Sequence, residues 1–168
     1  MTYLLIITAV AAVVALAIAV RDRYELKRKY RRFAEDIRRK SDDYVFLINP
    51  ELKVQDSNYH ALRPQMSDDG PHYLGNVLHC KNGCDSGLCG SSSLCTSCPV
   101  RYVIKNSFRD RRDFSNVQAT MELYDEKHDV QSVDVTVSGE LVYALSRPYM
   151  MVSVCCASSS RKGRRSRV

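Results

Sequence analysis

Five cysteines within nineteen residues, Cys80, Cys84, Cys89, Cys95 and Cys98, constrain this chain more than any other feature. Their spacing is C-x3-C-x4-C-x5-C-x2-C, inside the stretch GNVLHCKNGCDSGLCGSSSLCTSCPVRYVIKNS of residues 75–107. Glycine and serine dominate between the thiols, so the segment brings little apolar surface with which to hold a shape. The thiols themselves are the expected staple, and what they staple depends on the compartment they occupy.

An apolar run at the start of the chain bears on that compartment. Residues 3–20, YLLIITAVAAVVALAIAV, carry no charge and one polar break, Thr8. As a helix they would be about 27 Å long, close to the ~30 Å hydrocarbon core of a bilayer. No Lys or Arg precedes the run, it exceeds the length of a signal-peptide core, and Arg21, Arg23, Lys27, Arg28, Lys29, Arg31 and Arg32 follow at once. This pattern predicts an uncleaved transmembrane helix over residues 1–20 rather than a cleaved signal. The flanking cations place the N-terminus outside and the remaining chain in the cytoplasm.

The net charge of +6 raises the question of a nucleic-acid partner. Residues 21–40 hold ten basic and four acidic side chains, and residues 161–168 hold five basic ones and no acid. The remaining residues 41–160 keep ten basic against fifteen acidic side chains, a net −5. The globular part is acidic, which excludes a folded nucleic-acid-binding surface. The basic flank 21–40 is expected to meet anionic membrane lipid, and residues 157–168 to form a disordered basic tail.

Between residues 22 and 40 there is no Gly or Pro, and Leu26, Tyr30, Phe33 and Ile37 recur at helical spacing. This predicts a juxtamembrane helix whose apolar stripe offers a short coiled-coil seam to a second copy, a homodimer. Ser41-Asp42-Asp43 is expected to stop the helix. The domain then opens with a strand at Tyr44–Ile48, a turn at Asn49-Pro50, a second strand at Leu52–Gln55 and a short helix over residues 57–61. After the cysteines, Cys98 or Ser97 caps a helix that begins at Pro99 and runs to about Arg109. Strands follow at Phe114–Tyr124, at Val133–Val137, at Leu141–Leu145 beyond a break at Ser138-Gly139-Glu140, and over residues 150–156.

This order resembles the PAS sensory domains over residues 41–156. The opening DDYVFLINPELKVQDSN is similar to the family's first hairpin, and YMMVSVCC to its last strand. The middle is similar to a cysteine-containing subset of bacterial membrane-anchored PAS sensors, in which a leading Cys precedes Cys-Gly and then C-x-x-C at the start of the long helix. Those positions are Cys80, Cys89-Gly90, Cys95 and Cys98, and Cys84 is an addition to the pattern. The resemblance implies an α+β fold, a five-stranded antiparallel sheet with short helices on one side, behind an N-terminal transmembrane helix. It also implies a single-pass protein of the bacterial inner membrane with a sensory role. No kinase, cyclase or receiver sequence follows Cys156, so the expected output is a contact with a separate signalling protein.

Three chemistries are open to the cysteine segment of residues 75–98. Cys80, Cys89, Cys95 and Cys98 are a candidate ligand set for zinc or for an iron–sulfur cluster, with Cys84 and His79 as possible further ligands or redox partners. Alternatively, pairs such as Cys95 with Cys98 cycle between dithiol and disulfide. Cys98 at a helix N-terminus, with Arg101 nearby, sits where thiolate is favoured. Cys155 and Cys156 fall on opposite faces of the last strand. No Ser/His/Asp set and no phosphate-binding glycine loop is present, so a non-enzymatic sensor is expected. Two rivals are a membrane-tethered scaffold with a purely structural zinc and a thiol–disulfide oxidoreductase.

Overall fold

The computed structural model describes residues 2–40, 43–66, 70–144 and 146–156, and, of these, not the side chains of residues 2, 4 and 37–40. The expected helix stop at Ser41-Asp42, the Ile37 side chain and the tail 157–168 lie outside the described residues. One helix, α1 (Thr2–Lys40), carries the apolar run and the basic stretch without interruption. Neither Gly nor Pro occurs in it, so nothing breaks the hydrogen-bond ladder. Its apolar end projects from the domain with Leu5, Ile6, Val10, Val13 and Leu16 exposed, and it is long and apolar enough to cross a membrane.

Five strands, β1 (Tyr44–Ile48), β2 (Val54–Ser57), β3 (Phe114–Tyr124), β4 (Val130–Ala144) and β5 (Arg147–Cys156), form one antiparallel sheet in the order β2-β1-β5-β4-β3. Four helices lie between β2 and β3: α2 (Tyr59–Leu62), α3 (Leu74–Val77), α4 (Lys81–Asp85) and α5 (Pro99–Asp110). A 3-10 turn, Ser93–Thr96, precedes α5. This is the α+β arrangement, a five-stranded antiparallel sheet with short helices, expected from the sequence.

The central strands are buried on both faces, which explains their unbroken apolar composition. Along β1, Tyr44, Phe46 and Ile48 join the main core beneath α2–α5, while Val45 and Leu47 join a second cluster beneath α1. Strand β5 alternates in the same way, Met150, Val152 and Val154 facing the main core and Met151 facing α1. The second cluster is completed by Leu26 and Tyr30, with Phe33 and Ala34 packed at its margin. The Tyr30 hydroxyl also donates to the Val45 carbonyl at 3.2 Å. The stripe that the sequence offers to a second helix is thus applied to the chain's own sheet.

Local details differ from expectation in two strands. Strand β2 begins at Val54, because Leu52 adopts φ 64° and turns its side chain into the core. Asn49 stabilises this turn: its carbonyl accepts the Leu52 N–H at 2.9 Å and its Oδ1 accepts the Lys53 N–H at 2.9 Å. Strand β4 runs straight through Ser138-Gly139-Glu140, since Gly139 pairs with Phe114 and its bare Cα leaves room for that ring. Asn58 closes the first hairpin, accepting the Val45 N–H at 2.7 Å and donating to the Asp43 carbonyl at 3.2 Å.

If α1 covers the sheet as described, Leu26→Ala costs about 2 kcal/mol or more of domain stability. Tyr24→Ala, on the exposed side of the same helix, costs little. Urea denaturation of the detergent-solubilised chain checks the pair, and equal effects would contradict the packing.

Candidate functional site

The cysteine segment is more ordered than its composition suggests. It contains α3, α4 and the 3-10 turn, and it docks on the sheet edge through a bridge between Cys80 and Leu123 and a Tyr124 N–H to His79 carbonyl bond of 2.9 Å. A single side chain ties its parts together. Asn76, nearly buried on α3, accepts the Cys89 N–H at 2.7 Å and donates to the carbonyls of Gly83, at 3.2 Å, and Gly87, at 3.4 Å. One amide therefore satisfies backbone groups of α4, of the turn after it and of Cys89, which would otherwise be costly to bury. Sequence reasoning passes over Asn76; the available signal is a lone amide inside the apolar run LGNVL.

Cys80, Cys89, Cys95 and Cys98 all line one cavity of about 50 Å³. Ile48, Leu52, Leu74, Val100, Ile104 and Met121 supply most of its other walls, with Gly75, Asn82 and Arg101 completing them, so the thiols share a largely apolar chamber over the sheet. Each arrives from a different local element: Cys80 from the residue before α4, Cys89 from the loop after it, Cys95 from the 3-10 turn and Cys98 from the N-cap of α5, with Pro99 at the first helical position. All seven cysteines are present as thiols. Among the described residues, no three His, Cys, Asp or Glu side chains are grouped closely enough to hold a single metal ion as they stand.

Cys84 and His79 are placed elsewhere. Both line a second cleft with Asn76, Val77, Pro71 and Gly87. The His79 ring stacks on Tyr59 with centroids 6.1 Å apart, and its backbone is left-handed at φ 56°. Neither is among the residues lining the four-thiol cavity.

The electrostatics of the cavity pull in two directions. Burial pushes the Cys80 and Cys89 thiols above the ordinary range, as burial of an ionisable thiol must. The neighbouring thiols add to the shift, Cys98 and Cys95 acting on Cys80, and Cys95 and Cys80 acting on Cys89. Against this, backbone amides of Gly83 and Asn82 face the Cys80 sulfur, and the Gly75 amide faces that of Cys89. Amides aimed at sulfur stabilise thiolate, so burial and hydrogen bonding oppose one another at these two thiols. Arg101 also favours the charged form of Cys89, and its Nη1 donates to the Cys89 carbonyl at 3.4 Å.

Two glycines make these approaches possible. A Cβ at Gly75 would stand 2.6 Å from the Cys89 sulfur, closer than packing allows. Gly90 has φ 104°, and a Cβ there would stand 2.5 Å from the Arg101 guanidinium carbon. The Cys-Gly pair of the sequence thus lets Arg101 lie against the loop.

At the end of β5, Cys155 is exposed and Cys156 packs against the main core. Burial, helped by Cys155, pushes the Cys156 thiol up to about 11. Because thiolate is the reactive form, alkylation near neutral pH should label Cys155 and spare Cys156. Peptide mapping checks this, and equal labelling would contradict it. Asn76→Ala removes three hydrogen bonds at once and is expected to cost about 2 kcal/mol or more. It should also speed labelling of Cys80 and Cys89, whereas unchanged stability and labelling would show that the amide does not hold the segment.

No protein-family description matches the chain, and no curated protein matches it. Among solved structures, the chain is similar to the PAS domain of a Desulfitobacterium hafniense protein, with a TM-score of 0.43 and 10% identity over 69% of this chain and 93% of that one. It is also similar to a chain of the E. coli DhaR(N)–DhaL complex, with a TM-score of 0.39 and 14% identity over 79% of this chain and 38% of that one.

Proposed function

We propose that this chain is a membrane-anchored sensory domain of the PAS type, in which Cys80, Cys89, Cys95 and Cys98 together hold an iron–sulfur cluster. The observation that carries the reading is the shared cavity: four thiols from four separate local elements border one apolar chamber. Four cysteines are the ligand set that such clusters take, and when bound the cluster supplies a centre that responds to oxidants. Largely apolar walls surround it, and the amides of Asn82, Gly83 and Gly75 stand where they support anionic sulfur.

A single structural zinc ion is less well supported. Its ligands close to about 2.3 Å from one point, while these thiols border a void several times the ~10–15 Å³ that one water-sized sphere needs. Asn76 already supplies the cross-links that a structural ion would be needed for. Thiol–disulfide catalysis is also less well supported, because all four thiols border a small, largely apolar cavity of about 50 Å³ that leaves little room for a protein substrate.

The route from site to output is physical. Cys98, Val100 and Arg101 start α5 and line the cavity. Helix α5 packs on β3, β4 and β5, and α1 packs on the other face of β4 and β5. A change at the thiols that shifts the start of α5 is therefore passed through two shared strands to α1. Six residues, about 9 Å of helix, separate Val20 from Leu26. In this reading the domain sits at the inner face of a bacterial membrane, its basic residues 21–32 meet anionic lipid, and the signal leaves by contact with another protein or with a second copy.

Anaerobically purified, iron-reconstituted protein is expected to show sulfur-to-iron absorption in the visible range and to bleach in air. Serine at any of Cys80, Cys89, Cys95 or Cys98 should abolish or greatly reduce it, while Cys84→Ser and Cys155→Ser should retain it. A colourless sample without bound metal, or equal loss in Cys84→Ser, would overturn the assignment.

A further inference from the structure

Although residues 41–160 are acidic overall, one face of α5 is basic. Arg101, Lys105 and Arg109 recur every four residues, so they form a row about 12 Å long on one side of the helix. The opposite side, Val100, Ile104 and Ser107, is buried. Beside the row runs a groove of about 530 Å³, within the size range of small-molecule sites. Thr96, Tyr102 and Asn106 also border it, and no carboxylate does. Tyr102 presents an aromatic ring that is 65% exposed. Asp110 engages Arg109 through Nε and Nη2, at 2.8 and 3.2 Å, and Arg101 donates to the Cys89 carbonyl at 3.4 Å, so Lys105, between them, is the most available cation of the row.

We propose that this groove binds a polyphosphate chain, either that of a nucleotide or inorganic polyphosphate. Guanidinium and ammonium groups repeated along a line match a linear ligand with a charge on each unit, whereas a short dicarboxylate would meet only two of them. The Thr96 hydroxyl and the Asn106 amide add neutral hydrogen-bonding groups, and the Tyr102 ring offers a face on which a nucleobase can stack. Cys95 and Arg101 border both this groove and the four-thiol cavity, so they form the partition between the two. A bound anion therefore restrains the wall of the thiol chamber from outside. The groove itself does not depend on what the thiols hold.

Calorimetric titration of the detergent-solubilised full chain with tripolyphosphate and with ATP, at fixed ionic strength and without added metal, tests the proposal. The basic flanks also attract polyanions, so the decisive quantity is the difference caused by Lys105→Gln. That substitution should weaken the binding about tenfold, Lys105→Arg should restore it, and thermal melting of the free protein should not change. Tighter binding of ATP than of tripolyphosphate, with the difference abolished by Tyr102→Ala, identifies a nucleotide. Equal binding of the two identifies inorganic polyphosphate. Affinity indifferent to Lys105→Gln would overturn the site. So would binding of a polyglutamate peptide through Lys105 that neither polyphosphate displaces. Because the titration uses metal-free protein, its failure is separate from any failure of the iron–sulfur reading.

Discussion

Burial of the sheet on both faces is the constraint on which the rest of the molecule depends. Strands β1 and β5 have apolar side chains pointing both ways, and neither side can be left to water. The cysteine-bearing segment and α5 cover one face, and the C-terminal half of α1 covers the other. Removing α1 would expose Val45, Leu47, Val142 and Met151 together. One continuous helix therefore carries the long apolar run and also forms a structural wall of the domain, with no loose linker between the two.

The same sheet sets the position of the thiols. Ile48 and Met121 form part of the cavity wall, so strands at two places in the sheet define the chamber that the four cysteines border. The segment that carries the cysteines keeps its path through Asn76 and through its bridge to β3. Shape is thus held largely by an amide and by backbone pairing, leaving the sulfur atoms available for chemistry. Desolvation raises the Cys80 and Cys89 thiols while nearby amides favour their thiolates.

Much of this arrangement was legible in the residues. The apolar run YVFLI marks a strand buried on both sides, Pro99 after Cys98 marks the start of α5, and the alternation of valines in Val133–Val137 marks β4. The structure places Cys80, Cys89, Cys95 and Cys98 around one cavity and Cys84 and His79 along another cleft. Other features could not be read, for physical reasons. Gly139 looks like a strand break until its partner across the ladder is known to be Phe114. Leu52 looks like strand until its left-handed turn is seen. Leu26, Tyr30 and Phe33 fit a coiled-coil seam and a sheet-packing stripe equally well, because both need the same helical spacing. Asn76 carries no motif; its importance comes from three backbone groups that only the folded chain brings to it.

The central claim is that four sulfurs surround one inorganic centre. X-ray absorption at the iron edge of reconstituted, anaerobic protein reads that environment directly. The account predicts sulfur as the neighbour in the first shell together with a short iron–iron distance, and loss of that pattern when Cys89 is replaced by serine. A first shell dominated by oxygen and nitrogen, with no iron–iron scattering, would contradict it.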